Sequence, residues 1–155
     1  MITVLQSDGK NMPDVLAGIG SSAALMCSTI PWNGPIATVR VGRVNNELLI
    51  NPTRQQIEES DIDMVVSGNK ETIVMVEGEA DCMSEEDMLD SLKAAHLVIK
   101  DIIALQLDLV SALNVQKDEF ITPKPSPELV TAIDENLGDK VDEIIAIPTK
   151  LDRSI

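Results

Sequence analysis

The spacing of apolar residues changes several times along the chain, and each change predicts a different element. Residues 2–5 form a short apolar run typical of a β-strand. Small and apolar residues then dominate positions 15–28, directly after Pro13. Proline suits the first turn of a helix because the N–H that it lacks would have no helical partner there. We therefore predict a strand followed by a buried helix.

Beyond residue 35 apolar and polar residues alternate, which is typical of half-buried strands. The strands that this alternation predicts are residues 36–44, 47–50, 62–66 and 72–76. Asn45 and Asn46 lie between the first two, and asparagine tolerates the positive φ of a tight hairpin turn. A short polar helix is predicted from Thr53 to about Glu59. Together these elements predict an α+β fold with a mixed sheet packed by helices.

Ser84 begins the longest predicted helix. It is followed three residues later by Asp87, which gives the form of a capping box. Apolar residues then recur three or four positions apart, so one continuous stripe is expected to face the sheet or a neighbouring element. The residues of this stripe are Met88, Leu92, Ala95, Ile99 and Ile102. The helix is predicted to end near Asn114.

Three prolines interrupt the helical pattern after that helix, at positions 123, 125 and 127. Proline cannot continue a helix, so residues 116–126 are predicted to be a stiff linker between two units. The units are residues 1–115 and residues 127–155. In the second unit we predict one short helix that ends at Gly138 and another over residues 139–147. A unit of this size cannot form a core alone.

The charge balance limits the functions that the chain can have. Twelve basic residues against 26 acidic ones give a net charge of −14. This is the wrong sign for a self-sufficient nucleic-acid binder, because neutralising phosphates supplies much of the affinity. Trp32 and Phe120 are the only aromatic residues, so the chain has few rings on which bases could stack. Composition therefore excludes a typical RNA-binding module.

Other features of the composition concern the compartment and the extent of the chain. Two cysteines, Cys27 and Cys82, cannot form a disulfide framework, and no Cys/His cluster suggests zinc. No apolar stretch is long enough to cross a membrane. We expect a cytoplasmic protein with no membrane partner. The sequence begins directly on an apolar strand-like run, which suggests that it is a fragment.

The stretch from Gly18 to Ala24 has the small residues of a phosphate-binding loop, since glycine lets backbone N–H groups approach an anion. It resembles, faintly, the loop of small-molecule kinases of the galactokinase and homoserine kinase type. That kinase is the alternative function, and nucleotide would bind at this stretch. The spacing fits neither common phosphate-loop motif, so close helix packing by small residues is the favoured interpretation.

Several acidic residues could bind a metal ion, although solvated charges explain them more simply. Alternation along an extended segment could place three of them on one face: Glu77, Glu79 and Asp81. A second cluster is interpreted as the solvated face of a short helix: Glu58, Glu59, Asp61 and Asp63. His96 has no nucleophile motif beside it and is interpreted as a packing or edge residue, and Cys27 is interpreted as a small buried hydrophobic residue.

A set of uncommon motifs, in a fixed order and spacing, resembles the bacterial polynucleotide phosphorylase family. These motifs are PDVLA at 13–17, GSSAAL at 20–25, IPWNGP at 30–35, NPT at 51–53, VVSG at 65–68, VMVE at 74–77 and SEEDM at 84–88. The resemblance covers residues 1–112 well. From residue 122 onward the chain is similar, more loosely, to the all-helical connecting domain of that family.

The resemblance implies a place in a larger enzyme. Subunits of the family carry two RNase PH-like cores, a helical domain between them and RNA-binding domains at the end. This chain resembles the second half of the first core and the start of the helical domain. The resemblance implies an exoribonuclease that releases nucleoside diphosphates in mRNA turnover, using phosphate and Mg²⁺. It further implies a homotrimer that contacts RNA through other parts, with catalysis in the second core.

The residues that carry out catalysis in the family are not found here. Where its active core has serines that hold phosphate, this chain has Met12, Pro13 and Asp14. Where the active core has carboxylates that bind Mg²⁺, it has Asn51 and Ile57. We therefore expect no catalytic, cofactor-binding or metal-binding residue and no bound cofactor. The predicted role is structural, and the isolated chain is predicted to be inactive.

Overall fold

A computed structural model describes residues 1–154, and the chain divides between Glu119 and Phe120 into two compact units. The first unit contains α1 (Pro13–Met26), β1 (Ala37–Val44), β2 (Glu47–Ile50), α2 (Arg54–Glu58), β3 (Ile62–Gly68), β4 (Ile73–Ala80) and α3 (Glu85–Leu113). The second contains α4 (Pro127–Ile145) and a short 3-10 helix (Asp152–Ser154). The predicted α+β class is confirmed.

The four strands form one sheet in the order β2-β1-β3-β4. β1 and β2 form the predicted hairpin, and its turn residues Asn45 and Asn46 have φ values of 51° and 63°. Val39 lies opposite Val66 where β1 pairs with β3. All three strand pairings are antiparallel, so the sheet is not mixed. A parallel pairing needs a long crossover connection, usually a helix, and within residues 1–154 no such helix joins two neighbouring strands in parallel.

The core lies between α3 and one face of the sheet. Every second residue of a strand points to the same face, and those that face α3 are Ala37, Val39, Val41, Ile62, Met64 and Val66. Ala95, Ile99 and Ile103 complete this core from the helix, each at most 2% exposed. The predicted stripe is therefore confirmed: two of its residues are buried here, and the other three, Met88, Leu92 and Ile102, pack at the edge of the core.

α1 lies on the opposite face, against β1. A Cβ atom on Gly18 would meet Thr38 Oγ1 at 2.6 Å, so the two elements approach closely only because residue 18 is glycine. The hydroxyls of Thr38 and Ser67 are hydrogen-bonded at 2.7 Å below this contact. Ser22 is also buried and accepts a hydrogen bond from the Ile36 backbone N–H at 3.0 Å. The interpretation of this stretch as close helix packing is confirmed.

The predicted first strand is wrong. Residues 1–8 form no regular element, and the apolar side chains of Ile2, Val4 and Leu5 are exposed. A strand is stabilised mainly by its pairing and packing against other strands. No described strand pairs with this run, so its β-branched residues alone do not produce a ladder.

The predicted break at Gly138 is also wrong, because α4 continues from Pro127 to Ile145 as one helix. A glycine inside a helix costs only about 1 kcal/mol relative to alanine, which is too little to end a helix by itself. The start of α4 is fixed by Ser126, whose Oγ accepts a hydrogen bond from the Leu129 N–H at 3.2 Å. None of the described residues of α4 is buried.

The segment after α3 is held to the end of α1 by Lys117. Its ammonium donates hydrogen bonds to the carbonyl oxygens of Leu25, Met26 and Ser28 at 2.8–2.9 Å. A lysine at this place binds carbonyl oxygens at the end of the helix and complements the negative end of the helix dipole. The predicted linker over residues 116–126 stays a prediction, although its second residue is bound to the first unit. No helix among residues 1–154 is long and apolar enough to cross a membrane.

Candidate functional site

The positions predicted to correspond to a phosphate site lie at the start of α1. Met12 is the residue before the helix, and its side chain forms no cap. The helices that begin after Thr53, Ser84 and Ser126 all have a side-chain cap. Because the first N–H groups of a helix have no helical partner and lie at the positive end of its dipole, such a start attracts an anion. The anion present here is a carboxylate of the chain itself.

That carboxylate belongs to Asp14. Its Oδ1 accepts a hydrogen bond from the Val15 N–H at 2.9 Å, and its Oδ2 forms an ion pair with the Arg40 guanidinium. Burial alone would raise the pKa of Asp14, but the hydrogen bonds from Arg40 and Val15, together with the positive charge of Arg40, outweigh it. The pKa of Asp14 is therefore lowered from its usual value of 3.8. Asp14 is anionic at neutral pH and takes the place of a bound anion.

Arg40 joins two carboxylates from different parts of the fold. It extends from the middle of β1 and pairs with Asp14 through one terminal nitrogen and with Asp63 on β3 through the other. Its side chain is only 11% exposed. Burial would lower the pKa of Arg40, but the hydrogen bonds and charges of the two aspartates raise it above its usual value. The guanidinium is therefore fully charged and already neutralised by the protein.

Asn51 and Ile57, the positions predicted to correspond to the metal-binding carboxylates, have structural contacts. The Asn51 Oδ1 accepts a hydrogen bond from the Arg40 backbone N–H at 2.9 Å. Its own N–H donates to the Arg40 carbonyl at 2.7 Å. The Ile57 Cδ1 lies 3.5 Å from the position that a Cβ on Gly42 would occupy. The amide oxygen of Asn51 thus stabilises the end of the hairpin, and Ile57 packs against the sheet.

An acidic cavity of about 520 Å³ opens beside the ion pairs of Arg40. Its charged lining residues are Arg40, Asp14, Asp63, Glu77 and Glu79. Four carboxylates against one guanidinium give this cavity a negative potential, which repels phosphate and RNA. Among residues 1–154, no three carboxylate, histidine or cysteine side chains converge closely enough to hold a metal ion.

The remaining candidates have other places in the fold. Residues 18–24 lie inside α1, so their backbone forms a helix and not a phosphate loop. His96 is half-buried on α3, and its Nε2 lies 3.1 Å from the Asn69 carbonyl oxygen in the turn between β3 and β4. Cys27 is half-buried, not fully buried as interpreted from the sequence.

The interpretation of the second acidic cluster as one solvated helix face is wrong. Asp61 lies outside α2 and pairs with Arg43 at 2.7 Å, while Asp63 lies on β3 and pairs with Arg40. Arg43 also pairs with Asp87 at the start of α3, at 3.0 Å. The hydrogen bond from Arg43 to Asp61 and, after it, the one to Asp87 raise the pKa of Arg43. Two of the four acids therefore bind arginines that extend from β1.

Comparison with known proteins identifies the fold around these residues. The sequence model of a protein family described as the 3′ exoribonuclease family, domain 2, matches residues 34–97. These residues include the four strands and the first part of α3. This part of the chain is therefore similar to domain 2 of the 3′ exoribonuclease family. Arg40, Asn51 and Asp63 lie inside the family domain, whereas Asp14 precedes it.

Similar proteins extend the match to nearly the whole chain. The chain is 46% identical over 153 residues to a polyribonucleotide nucleotidyltransferase from Syntrophotalea carbinolica, covering 99% of this chain and 22% of that protein. It is 45% identical over 148 residues to the enzyme of that name from Thermomicrobium roseum, covering 96% and 19%. The predicted resemblance to polynucleotide phosphorylase, the same enzyme family, is confirmed. The chain spans about a fifth of the length of these relatives.

Sequence reasoning did not find the role of Arg40. The signal was present in β1, where Arg40 is a charged residue between the apolar residues Val39 and Val41 and lies on the opposite face of the sheet from them. A charged residue at a half-buried strand position requires a partner of opposite charge. Which of the chain's 26 acidic residues supply that partner depends on tertiary structure, because Asp14 and Asp63 are 26 and 23 residues away.

The lowered pKa of Asp14 predicts how stability depends on pH. Because this pKa is lower in the folded state than in the unfolded one, the carboxylate stabilises the fold above about pH 4. Its contribution is lost as the pH falls through the folded-state value. Asp14→Asn should therefore be less stable than the wild type at pH 7, and the difference should shrink towards pH 3.

Urea unfolding at a series of pH values measures this difference. The matched control is Asp108→Asn, which removes a carboxylate that is exposed on α3 and forms no ion pair in the described part of the chain. A pH-independent loss of stability in Asp14→Asn would contradict the role of the Asp14 charge.

Proposed function

We propose that this chain is a structural, non-catalytic portion of a phosphorolytic 3′-to-5′ exoribonuclease that degrades RNA to nucleoside diphosphates. The match of residues 34–97 to an exoribonuclease family domain supports the reaction class. Relatives named polyribonucleotide nucleotidyltransferase, similar over nearly the whole chain, support the same enzyme family. Because the chain spans about a fifth of those proteins, the catalytic core and most RNA contacts are proposed to lie in the rest of the parent enzyme.

One observation carries the non-catalytic role: the Asp14 carboxylate occupies the start of α1. In phosphorolysis, inorganic phosphate attacks the terminal phosphodiester, so the enzyme must hold one phosphate next to another. A helix start could hold the attacking phosphate through its free N–H groups. Here the Val15 N–H and Arg40, which could bind phosphate, are bound to Asp14. A carboxylate at this place repels the phosphate that an active site must attract.

The second requirement of the reaction is neutralisation of the charge that builds up on the transferred phosphoryl group. Metal ions supply most of it in phosphoryl transfer, and Mg²⁺ prefers carboxylate oxygens. Asn51 offers one neutral oxygen, which already accepts a hydrogen bond from Arg40, and Ile57 offers none. Mg²⁺ and phosphate are therefore proposed as cofactor and substrate of the parent enzyme, bound outside this chain.

The proposed contribution of the chain is architectural. α3 has 29 residues, which corresponds to a length of about 44 Å. One stripe of it packs on the sheet, while Leu89, Leu97 and Leu105 on its other side are at least 56% exposed. We propose that this side supports the catalytic core within a homotrimeric, cytoplasmic enzyme of mRNA turnover. Most contacts with RNA would be made by other parts of that enzyme.

Calorimetric titration with inorganic phosphate tests whether the start of α1 is closed to anions. The wild-type chain is expected to release no saturable heat, with or without Mg²⁺, because Asp14 already holds the N–H group and Arg40. Asp14→Ser removes this carboxylate and leaves Arg40 with one partner, so weak phosphate binding is expected to emerge in that variant. Saturable binding by the wild type that disappears in Arg40→Met would contradict the proposal.

A further inference from the structure

A second cavity, of about 720 Å³, lies in the first unit and away from the ion pairs of Arg40. It is bounded by the segment before β1, the turn between β3 and β4, and one side of α3. The lining residues that bear on its chemistry are Trp32, Asn33, Lys70, Glu71, Ile103 and Leu107. This volume is within the range of roughly 300–1,000 Å³ that is typical of small-molecule sites.

Trp32 provides a preformed aromatic surface in this cavity. Its side chain is 37% exposed, and Pro31 and Pro35 restrict the backbone on either side of it. Gly34 has a φ of +115°, a conformation that residues with a Cβ rarely adopt, so the turn after Trp32 depends on this glycine. The end of the segment is tied to α3, because Gln106 Nε2 donates to the Ile36 carbonyl at 3.0 Å.

The turn on the other side of the cavity is equally well fixed. The Asn69 Oδ1 accepts hydrogen bonds from the N–H groups of Glu71 and Thr72 at 2.8 and 2.7 Å. His96 holds the Asn69 carbonyl from α3. Lys70 and Glu71 are exposed residues that line the cavity, and their side chains form no ion pair or hydrogen bond in the described part of the chain. Two opposite charges are therefore available to a ligand.

We propose that this cavity binds one nucleobase that carries a phosphate, either as a free nucleotide or as a nucleotide of single-stranded RNA. The base stacks on the Trp32 ring, as aromatic side chains commonly bind bases. The Lys70 ammonium binds the phosphate. The Glu71 carboxylate accepts a hydrogen bond from an amino group on the edge of the base. One ring and one ammonium fit one nucleotide and not a long strand.

This inference goes further than the proposed function by naming a ligand for the chain. The choice between RNA and a free nucleotide as that ligand rests on the proposed function. A non-catalytic portion would then contact the substrate or product of the parent enzyme. The affinity is expected to be low, with a dissociation constant on the order of 1 mM, because one stacked base and one charge pair provide the binding. The net charge of −14 also weakens the approach of a phosphate.

Tryptophan fluorescence of the whole 155-residue chain tests the proposal. The chain has one tryptophan and no tyrosine, so its emission reports on Trp32 alone. It is titrated with AMP, adenosine, inorganic phosphate and a short oligo(A), with free tryptophan amide correcting for absorbance. AMP and oligo(A) should quench the emission to saturation, and phosphate alone should not. Tighter binding of AMP would assign a free nucleotide as the source, and tighter binding of oligo(A) would assign RNA.

Two lysine variants separate a specific site from general charge. Lys70→Gln should weaken AMP binding about threefold to tenfold and leave adenosine binding unchanged, because only AMP carries the phosphate. Lys93→Gln is the control, since it removes the same charge from an exposed position of α3 that does not line the cavity.

In calorimetry, Trp32→Leu should lose AMP binding altogether. Trp32 is outside the core, and circular dichroism checks that this variant is folded.

Quenching that rises linearly with AMP, or that is identical in Lys70→Gln and Lys93→Gln, would overturn the proposal. An equal response to phosphate alone would also overturn it, because the base would then contribute nothing. The proposed function is measured separately by phosphorolysis. If the chain neither binds AMP nor degrades RNA, the proposed binding site is wrong and the proposed structural role is not contradicted.

Discussion

Replacing Ile99 with alanine is expected to lower the free energy of unfolding by about 2–5 kcal/mol. Ile99 is 0% exposed and lies in the middle of α3, in one cluster with Val39, Val41 and Val66 of the sheet. Alanine removes three carbon atoms from this contact. The cost combines the lost burial of those atoms with the cavity that they leave, since α3 and the sheet cannot both close on it.

The matched control for this variant is Leu97→Ala on the same helix. Leu97→Ala also removes three carbon atoms from this helix. Because Leu97 is 64% exposed, the change removes little buried surface. Urea unfolding followed by circular dichroism gives both values. Leu97→Ala should change the free energy of unfolding by less than about 0.5 kcal/mol. Equal losses in the two variants would show that α3 does not pack on the sheet through Ile99.

Local patterns in the sequence predicted the elements of the first unit well. The hairpin followed from two asparagines that tolerate positive φ, and the start of α3 from Ser84, whose Oγ accepts a hydrogen bond from the Asp87 N–H at 3.1 Å. The stripe containing Ala95 and Ile99 predicted which side of α3 is buried. These features depend on residues at most four positions apart, so the sequence displays them directly.

The parts that the sequence did not predict depend on contacts between distant residues. The pairing of Arg40 with Asp14 and Asp63 needs three elements to be folded together. The run at residues 2–5 has the composition of a strand, but no described strand pairs with it. Gly138 marks a possible helix end locally, yet α4 continues through it. In each case the outcome depends on what surrounds the residue and not on the residue type.

The isolated chain is expected to show no phosphorolysis of RNA, which is the largest effect that we predict. Enzymes commonly accelerate their reactions by at least about a millionfold, mostly by positioning and by neutralising charge. The positions predicted to correspond to the phosphate site include Asp14, which brings a negative charge, and those predicted to correspond to the metal ligands are Asn51 and Ile57, which bring none. Such residues act as one unit, so restoring a single one recovers little.

Asn51→Asp alone is accordingly expected to remain inactive. An aspartate there would add one carboxylate and would also have to keep the hydrogen bond from the Arg40 N–H, which now holds the Asn51 Oδ1 at 2.9 Å. Ile57 would still be apolar, and Asp14 would still occupy the helix start. The variant should fold, as judged by circular dichroism, and should release no more nucleoside diphosphate than the wild-type chain.

The most direct measurement is the release of nucleoside diphosphate from radiolabelled poly(A) by the purified chain, with inorganic phosphate and a range of Mg²⁺ concentrations. A full-length polynucleotide phosphorylase serves as the positive control, and reactions without phosphate set the background. We predict that the chain stays at background while the full-length enzyme degrades the RNA. Phosphate-dependent release that is abolished by Asn51→Ala or Asp14→Ala would contradict the non-catalytic role, because those residues would then belong to a working site.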